Sequence, residues 1–282
     1  MPPLLLEEFR ITFDEYLERR LRSITLKQAL GDLVGYTPRS GGKRLRPYII
    51  YLFSNILEIP EEVYLELGLA VELFHSGSLI QDDLPSLDND NFRRGKPSLH
   101  RLCGDGPAML VADYLMLYPG KIILTLPLSA EIKLNLLRLW HDTSLKVIEG
   151  EFLDINTRVK SVEEVERIHY LKTAAFFGFC FSSPFICAGK QTEAVEMEKA
   201  GIDFGMAFQI FDDIKDKYGK SEILGKTPGK DEIQNRPNIL RYMEMERAKK
   251  TAEKFYSKAL ERIKQDEIKQ ILDRLRKLVQ ER

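Results

Sequence analysis

Apolar residues recur at every third or fourth position through most of this chain, and almost nothing in it alternates. In VYLELGLAVELFHSGSLI, Val63, Leu67, Ala70, Val71, Phe74 and Ser78 fall at such spacings. That is the period of one helix face. Similar stripes run through residues 11–30, 107–118, 129–149, 162–188, 192–218 and 245–280. No Asn-Gly or Asp-Gly pair joins alternating segments, so hairpin signals are scarce. The breaks between stripes carry turn chemistry: TPRSGG, PSLDND, GDG and GKTPGKDEIQNRP. No fixed-period repeat, low-complexity linker or composition step divides the chain. The expectation is a single all-α domain over residues 1–282, a bundle of about ten helices. LVADYLMLY and AAFFGFCFSSPFICAG have almost no polar face, which places their helices mid-bundle, where they could wall a central apolar cavity.

Composition narrows the function. A net charge of −1 argues against nucleic acid as a partner. Three cysteines without a CxxC suggest neither a disulfide framework nor a zinc knuckle, and point to a reduced, cytoplasmic setting. The start MPPLLLEEFR lacks a basic region, and Glu7 and Glu8 cut its apolar run short, unlike a signal peptide. The most apolar region, Ala108 to Trp140, is interrupted by Asp113, Pro119, Lys121, Pro127, Glu131 and Lys133. It holds no unbroken run of the roughly 18 apolar residues that a span needs, so no membrane span is expected.

Two acidic clusters stand out. In FQIFDDIKDKYG, Asp212 and Asp216 are four apart. On a helix that is about 40° of rotation, so the two carboxylates share one face roughly 6 Å apart. Apolar neighbours place this helix inside the protein, where carboxylates are costly unless a cation compensates. Hard oxygen ligands suit Mg²⁺, which uses one or two carboxylates and borrows phosphate oxygens. A solvated helix face would read the same way, and a lone DDxxD arises often by chance. The other cluster, LIQDDLPSLDNDNFRRGKPS, is different. Asp82 and Asp88 are six apart, about 240° around a regular helix, so a straight helix cannot aim both at one ion. Pro85 sits between them and predicts that the helix ends or bulges near Leu84, letting Asp88 fold back toward Asp82.

Cations accompany the acids. SGGKRLRP places Gly41 and Gly42 before Lys43, Arg44 and Arg46, with Pro47 expected at a first helical position. Glycines permit close backbone approach and arginines give bidentate donors for phosphate. The segment lacks the form of a nucleotide P-loop. Arg93 and Arg94 follow the first cluster, Lys172 and Thr173 interrupt an apolar helix, and Lys226 follows the second cluster. Paired acidic clusters, phosphate-binding cations and an apolar frame together fit a diphosphate on an apolar tail.

GGKRLRP, HSGSLIQDDLPSLDNDNFRRGKP, LKT, FQIFDDIKD and LGK, in that order, resemble the all-trans polyprenyl diphosphate synthases, from about residue 40 to about residue 240. With four residues between Asp83 and Asp88, the first motif looks like the form usual in bacterial farnesyl and plant geranylgeranyl diphosphate synthases. The resemblance implies a helical bundle around a central cavity, a homodimer, and about three Mg²⁺ ions on an allylic diphosphate. It implies Asp82, Asp83, Asp88, Asp212 and Asp216 as metal-side carboxylates, with Asp213 supporting and Lys172 also catalytic. Arg93, Lys172, Thr173, Gln209 and Lys226 would contact the allylic diphosphate. Lys43, Arg46, His75 and Arg94 would hold isopentenyl diphosphate, the second substrate.

Some positions depart from the family pattern. Glu151 stands where a glutamine is usual, and a carboxylate beside diphosphate would repel it, which keeps Glu151 out of the implied site. Arg236 stands for a lysine and Gln81 for a common histidine. Gly77 and Ser78, about one turn before Asp82, are small where farnesyl synthases of this type commonly set an aromatic floor. The expectation is growth past C15 to a C20 product, unless Tyr114, Leu117 and Tyr118 provide another floor.

Two rivals come from other classes. Glu72 with His75 and Glu166 with His169 form two ExxH pairs, as in a di-iron helical bundle. That reading leaves the aspartates and arginines without a role. A non-catalytic regulatory subunit would be expected to have lost aspartates, and both clusters are complete.

Overall fold

The computed structural model describes residues 3–25, 30–156, 158–218 and 236–280, and among them it is almost wholly helical. The chain divides into two compact units, residues 1–133 and 134–282.

The first unit holds α1 (Leu6–Thr25), the short α2 (Leu33–Tyr36), α3 (Leu45–Ile56), α4 (Glu61–Asp82), α5 (Leu99–Cys103) and α6 (Asp105–Thr125). In α1, Phe9, Phe13, Leu17, Leu21 and Ile24 are all buried, at spacings of four, four, four and three. They form the continuous stripe that the periodicity predicts. Phe13 is fully buried and reaches Gly68 of α4, where a Cβ would sit 2.9 Å from its ring. Burying such a ring stabilises the unit by about 1.5–3 kcal/mol. α3 starts at Leu45, two residues earlier than expected, and Pro47 is accommodated in its first turn, where its missing N–H is not needed. α4 packs chiefly on α6 and α3. A hairpin of two residues per strand, β1 (Phe92–Arg93) and β2 (Lys96–Pro97), follows α4.

The second unit is built on α7 (Ala130–Asn156), which begins in the first, then α8 (Val162–His169), a π-turn at Tyr170–Ala174 and α9 (Ala175–Cys187). α10 (Gln191–Tyr218), α11 (Met245–Glu261) and α12 (Asp266–Gln280) follow. Every residue of α9 is buried, as its all-apolar sequence predicts. α10 packs chiefly on α9 and α11. Arg262 pairs with Asp203 at 2.7 Å, and Tyr256 donates a 2.7 Å hydrogen bond to Asp273, tying the C-terminal helices together.

Among the described residues two helices, α4 and α6, are long and apolar enough by composition to cross a membrane, each with a window of mean hydropathy 1.3. Scattered polar residues break the apolar runs, yet the mean over the window stays high. The α4 window is 72% buried, as in a core helix. α6 leaves Leu110, Leu117 and Leu124 exposed at intervals of seven, an uncovered apolar stripe. α7 carries a similar exposed stripe at Leu145, Ile148, Phe152 and Ile155.

Candidate active site

The first acidic cluster begins where α4 stops. The helix ends at Asp82, two residues before Leu84. The chain then doubles back. The Asp88 N–H donates to Asp82 O at 2.9 Å, Asn89 N–H to Leu84 O at 3.0 Å and Asp90 N–H to Asp83 O at 3.1 Å. Asn89 takes the left-handed conformation (φ 51°) that asparagine tolerates. Asp88 is thereby brought beside Asp82, as Pro85 suggested. Asp82 and Asp88 are half-buried, whereas Asp83 is 3% exposed. The Asp83 carboxylate is gripped by Arg93, whose Nε donates at 3.0 Å and whose Nη2 also donates. Burial works against the Arg93 charge, but Asp83, with Asp82 and Asp88, outweighs it and raises the arginine's pKa.

The hairpin sets the arginine pair. Its turn is Arg94-Gly95, both with positive φ (53° and 75°), pairing Phe92 with Pro97 and Arg93 with Lys96. Such a turn matches the twist of the flanking strands, but asparagine is its usual first residue, so sequence gave no sign of it. Arg94 donates to the carbonyl of Gly41. A Cβ on Gly42 (φ 137°) would sit 2.9 Å from the Arg94 guanidinium, so the glycine pair makes room for this arginine. Beside it, Arg44 is buried in a left-handed conformation (φ 50°). It pairs with Glu72 at 2.5 Å and Asp14 at 2.8 Å and donates to Pro38 O at 2.7 Å. These bonds anchor the junction between the loop that carries exposed Lys43 and α3, whose first turn carries half-buried Arg46. The roles of Asp14 and Glu72 as partners of Arg44 were not read from sequence, because the contacts span 30 and 28 residues. His75 is desolvated and faces Arg46, Arg94, Arg93 and Arg44, which hold its pKa well below the usual 6.5.

Deeper along α4, Gly77 is a packing position. A Cβ there would lie 2.8 Å from Met116 Cγ and 2.9 Å from Ala112 O of α6. Ser78 is half-buried and donates to His75 O at 3.0 Å. On α6, the rings of Tyr114 and Tyr118 lie 5.4 Å apart, and Leu117 is 75% exposed. Gln81 donates weakly to Asp113 at 3.4 Å.

In the second unit, α10 is unbroken through Asp212, Asp213 and Asp216, so helical period alone sets that cluster. Asp212 is exposed, Asp216 half-buried and Asp213 2% exposed. Both oxygens of Asp213 are engaged. Oδ1 accepts from Gln209 Nε2 at 3.1 Å, and Oδ2 accepts from the Ile239 N–H at 2.8 Å and pairs with His169 Nε2 at 3.3 Å. Burial lowers the His169 pKa, but the Asp213 charge and hydrogen bond, with Asp154 and Glu166, outweigh it and leave the pKa raised. Thr173 Oγ1 donates to Gln209 Oε1 at 2.8 Å, extending the network to the π-turn. Lys172, on the same π-turn, pairs with Glu151 at 2.6 Å and Asp154 at 2.7 Å, and Arg236 lies 3.6 Å from Asp154. Lys226 lies outside the described residues.

The donor chemistry fits Mg²⁺ and does not fit di-iron. Among the described residues no three His, Cys, Asp or Glu side chains converge to hold an ion unaided. Glu72 serves Arg44 and His169 serves Asp213, so neither ExxH pair is assembled as a metal site. Each acidic cluster could offer one or two carboxylates to a cation that completes its shell from other oxygens, which is how Mg²⁺ is usually held.

Comparisons with known proteins agree with this geometry. The family model for polyprenyl synthetase matches residues 27–275. The chain is 33% identical over 246 residues to farnesyl diphosphate synthase from Bacillus subtilis, covering 84% of this chain and 83% of that protein. It is 32% identical over 240 residues to geranylgeranyl diphosphate synthase from Cyanophora paradoxa, covering 82% and 80%. Among solved structures, the geranyltranstransferase from Thermotoga maritima superposes with a TM-score of 0.80 at 33% identity, covering 97% of this chain and all of that one. The helical fold, the order of the motifs and these similarities lead to one assignment: the chain belongs to the polyprenyl synthetase family.

Proposed function

We propose that the protein is a prenyltransferase that joins isopentenyl diphosphate to an allylic diphosphate, giving a short all-trans prenyl diphosphate and pyrophosphate. The observation that carries this reading is the fold-back of Asp88 onto Asp82 beside an arginine fixed by Asp83. It builds, from one short segment, a carboxylate pair for metal and a cation for phosphate. The relatives named above point to the same chemistry.

Asp82, Asp88, Asp212 and Asp216 would hold Mg²⁺, which when bound offsets the charge growing on the leaving pyrophosphate. Arg93, Lys172, Thr173 and Gln209 bind and orient the allylic diphosphate. Their charges and donors stabilise the leaving group as the allylic C–O bond breaks. Lys43, Arg46, Arg94 and neutral His75 hold isopentenyl diphosphate, whose double bond attacks the carbocation. The departing pyrophosphate accepts the proton lost from the new chain. Apolar side chains exclude water that would quench the cation.

The tail runs down the face of α4 that carries Asp82. Ser78, four residues earlier, shares that face within about 40°. A serine there leaves room, which favours C20 over C15. The apolar stripes on α6 and α7 support a homodimer that covers them. The test is incubation with Mg²⁺, labelled isopentenyl diphosphate and dimethylallyl, geranyl or farnesyl diphosphate, reading chain lengths after dephosphorylation. The expected end product is C20, shortened to C15 by Ser78→Phe. A C15 product from the unaltered enzyme overturns the length assignment, and no extension from any starter overturns the reaction.

A further inference from the structure

Lys172 does not wait for its substrate with an open hand. Glu151 and Asp154, one turn apart on α7, both hold its ammonium, at 2.6 and 2.7 Å. The close approach depends on Gly150, where a Cβ would sit 2.3 Å from the Lys172 backbone nitrogen. The two acids are not equivalent. Asp154 is shared with Arg236, so it keeps a second cation nearby when Lys172 leaves. The other Glu151 oxygen, Oε1, is buried and has no hydrogen-bond partner among the described residues. A carboxylate in that position is poorly compensated, and its main attraction is to Lys172.

We propose that Glu151 is a positioning residue that sets the affinity for the allylic diphosphate by competing with it for Lys172. The inference rests on the reading that Lys172 meets that diphosphate. Glu151 sets a negative charge directly against the Lys172 ammonium, so the lysine attracts an anion more weakly than it would alone. A diphosphate that recruits Lys172 must break the Glu151 pair and then sit near the carboxylate left behind. Both effects weaken binding of the allylic substrate and neither touches isopentenyl diphosphate. A weak hold also favours release of pyrophosphate after reaction.

The test measures KM for both substrates, and the affinity for inorganic pyrophosphate with Mg²⁺ by calorimetry, in four enzymes: unaltered, Glu151→Gln, Glu151→Asp and Lys172→Ala. Glu151→Gln keeps the shape and removes the charge. It should lower the allylic KM and the pyrophosphate Kd by about tenfold, the order expected from removing one partly screened charge, with the isopentenyl diphosphate KM unchanged. Glu151→Asp keeps the charge and should keep the original values. Lys172→Ala should raise the allylic KM. An unchanged or raised allylic KM in Glu151→Gln overturns the inference, as does a tenfold gain in Glu151→Asp or a parallel change in both substrates' KM. An unchanged allylic KM in Lys172→Ala overturns the reading of Lys172 and the inference with it.

Discussion

The two acidic clusters look alike as strings and are built in opposite ways. In the first, α4 ends at Asp82 and the chain turns back, so that Asp88 joins Asp82 through backbone hydrogen bonds. In the second, α10 continues and helical period alone aligns Asp212 with Asp216. Each nonetheless has the same division of labour. One aspartate is buried and locked, Asp83 by Arg93 and Asp213 by His169, Gln209 and the Ile239 N–H. The aspartates around it remain at least partly exposed. An acidic pair is therefore not two copies of one function. The first member is the one we propose for metal, and the second holds the scaffold around it.

Substitutions can break this comparison. The largest effect is expected at the more accessible positions: Asp82→Ala or Asp212→Ala should lower kcat by about 10²–10³-fold with little change in melting temperature, the scale of losing one preorganised electrostatic contact. Steady-state kinetics with a parallel thermal melt checks this. At the locked positions the balance should reverse toward stability. Asp83→Ala removes the main partner of buried Arg93 and leaves it with Asp90 at 3.5 Å, and should cost up to about 3 kcal/mol of folding free energy in denaturant titration. Asp213→Ala should cost less, about 1–2 kcal/mol, because it strands neutral donors and a histidine that can lose its proton.

The smallest expected effect is a pH dependence. His75 has a folded-state pKa below 6.5, so the unfolded chain takes up a proton that the folded one resists. Its contribution to stability is therefore lost as pH falls through 6.5 toward the lowered value. A diphosphate among the same arginines would oppose that shift. Isopentenyl diphosphate binding should then take up protons and tighten as pH falls below about 6.5. In His75→Gln both dependences should flatten, as binding calorimetry across pH 5.5–8 in buffers of differing ionisation heat would show.

Much of this was legible in sequence because it is local. The stripe of α1 and the shared face of Asp212 and Asp216 follow from period, and the fold-back at Asp88 follows from Pro85. What was not legible depends on contacts between distant residues. Nothing local marks Arg44 as a structural arginine among neighbours proposed to bind substrate; its partners are Asp14 and Glu72. Gly77 reads as a gap in the cavity wall, yet α6 lies against it. Glu151 reads as a misplaced charge, and only the approach of α7 to the π-turn shows that it holds Lys172. The division into two compact units is also hidden, because its boundary falls within α7, a continuous helix.

The most direct test of the central claim is the Mg²⁺ dependence of turnover in Asp82→Asn beside Asp83→Asn, at saturating substrates and at a temperature where both are folded. Asp82→Asn should raise the half-saturating Mg²⁺ concentration by at least about tenfold, while Asp83→Asn should keep the unaltered enzyme's Mg²⁺ dependence and lose stability instead. Equal shifts in the two variants would contradict the division of labour, and a shift confined to Asp83→Asn would invert it.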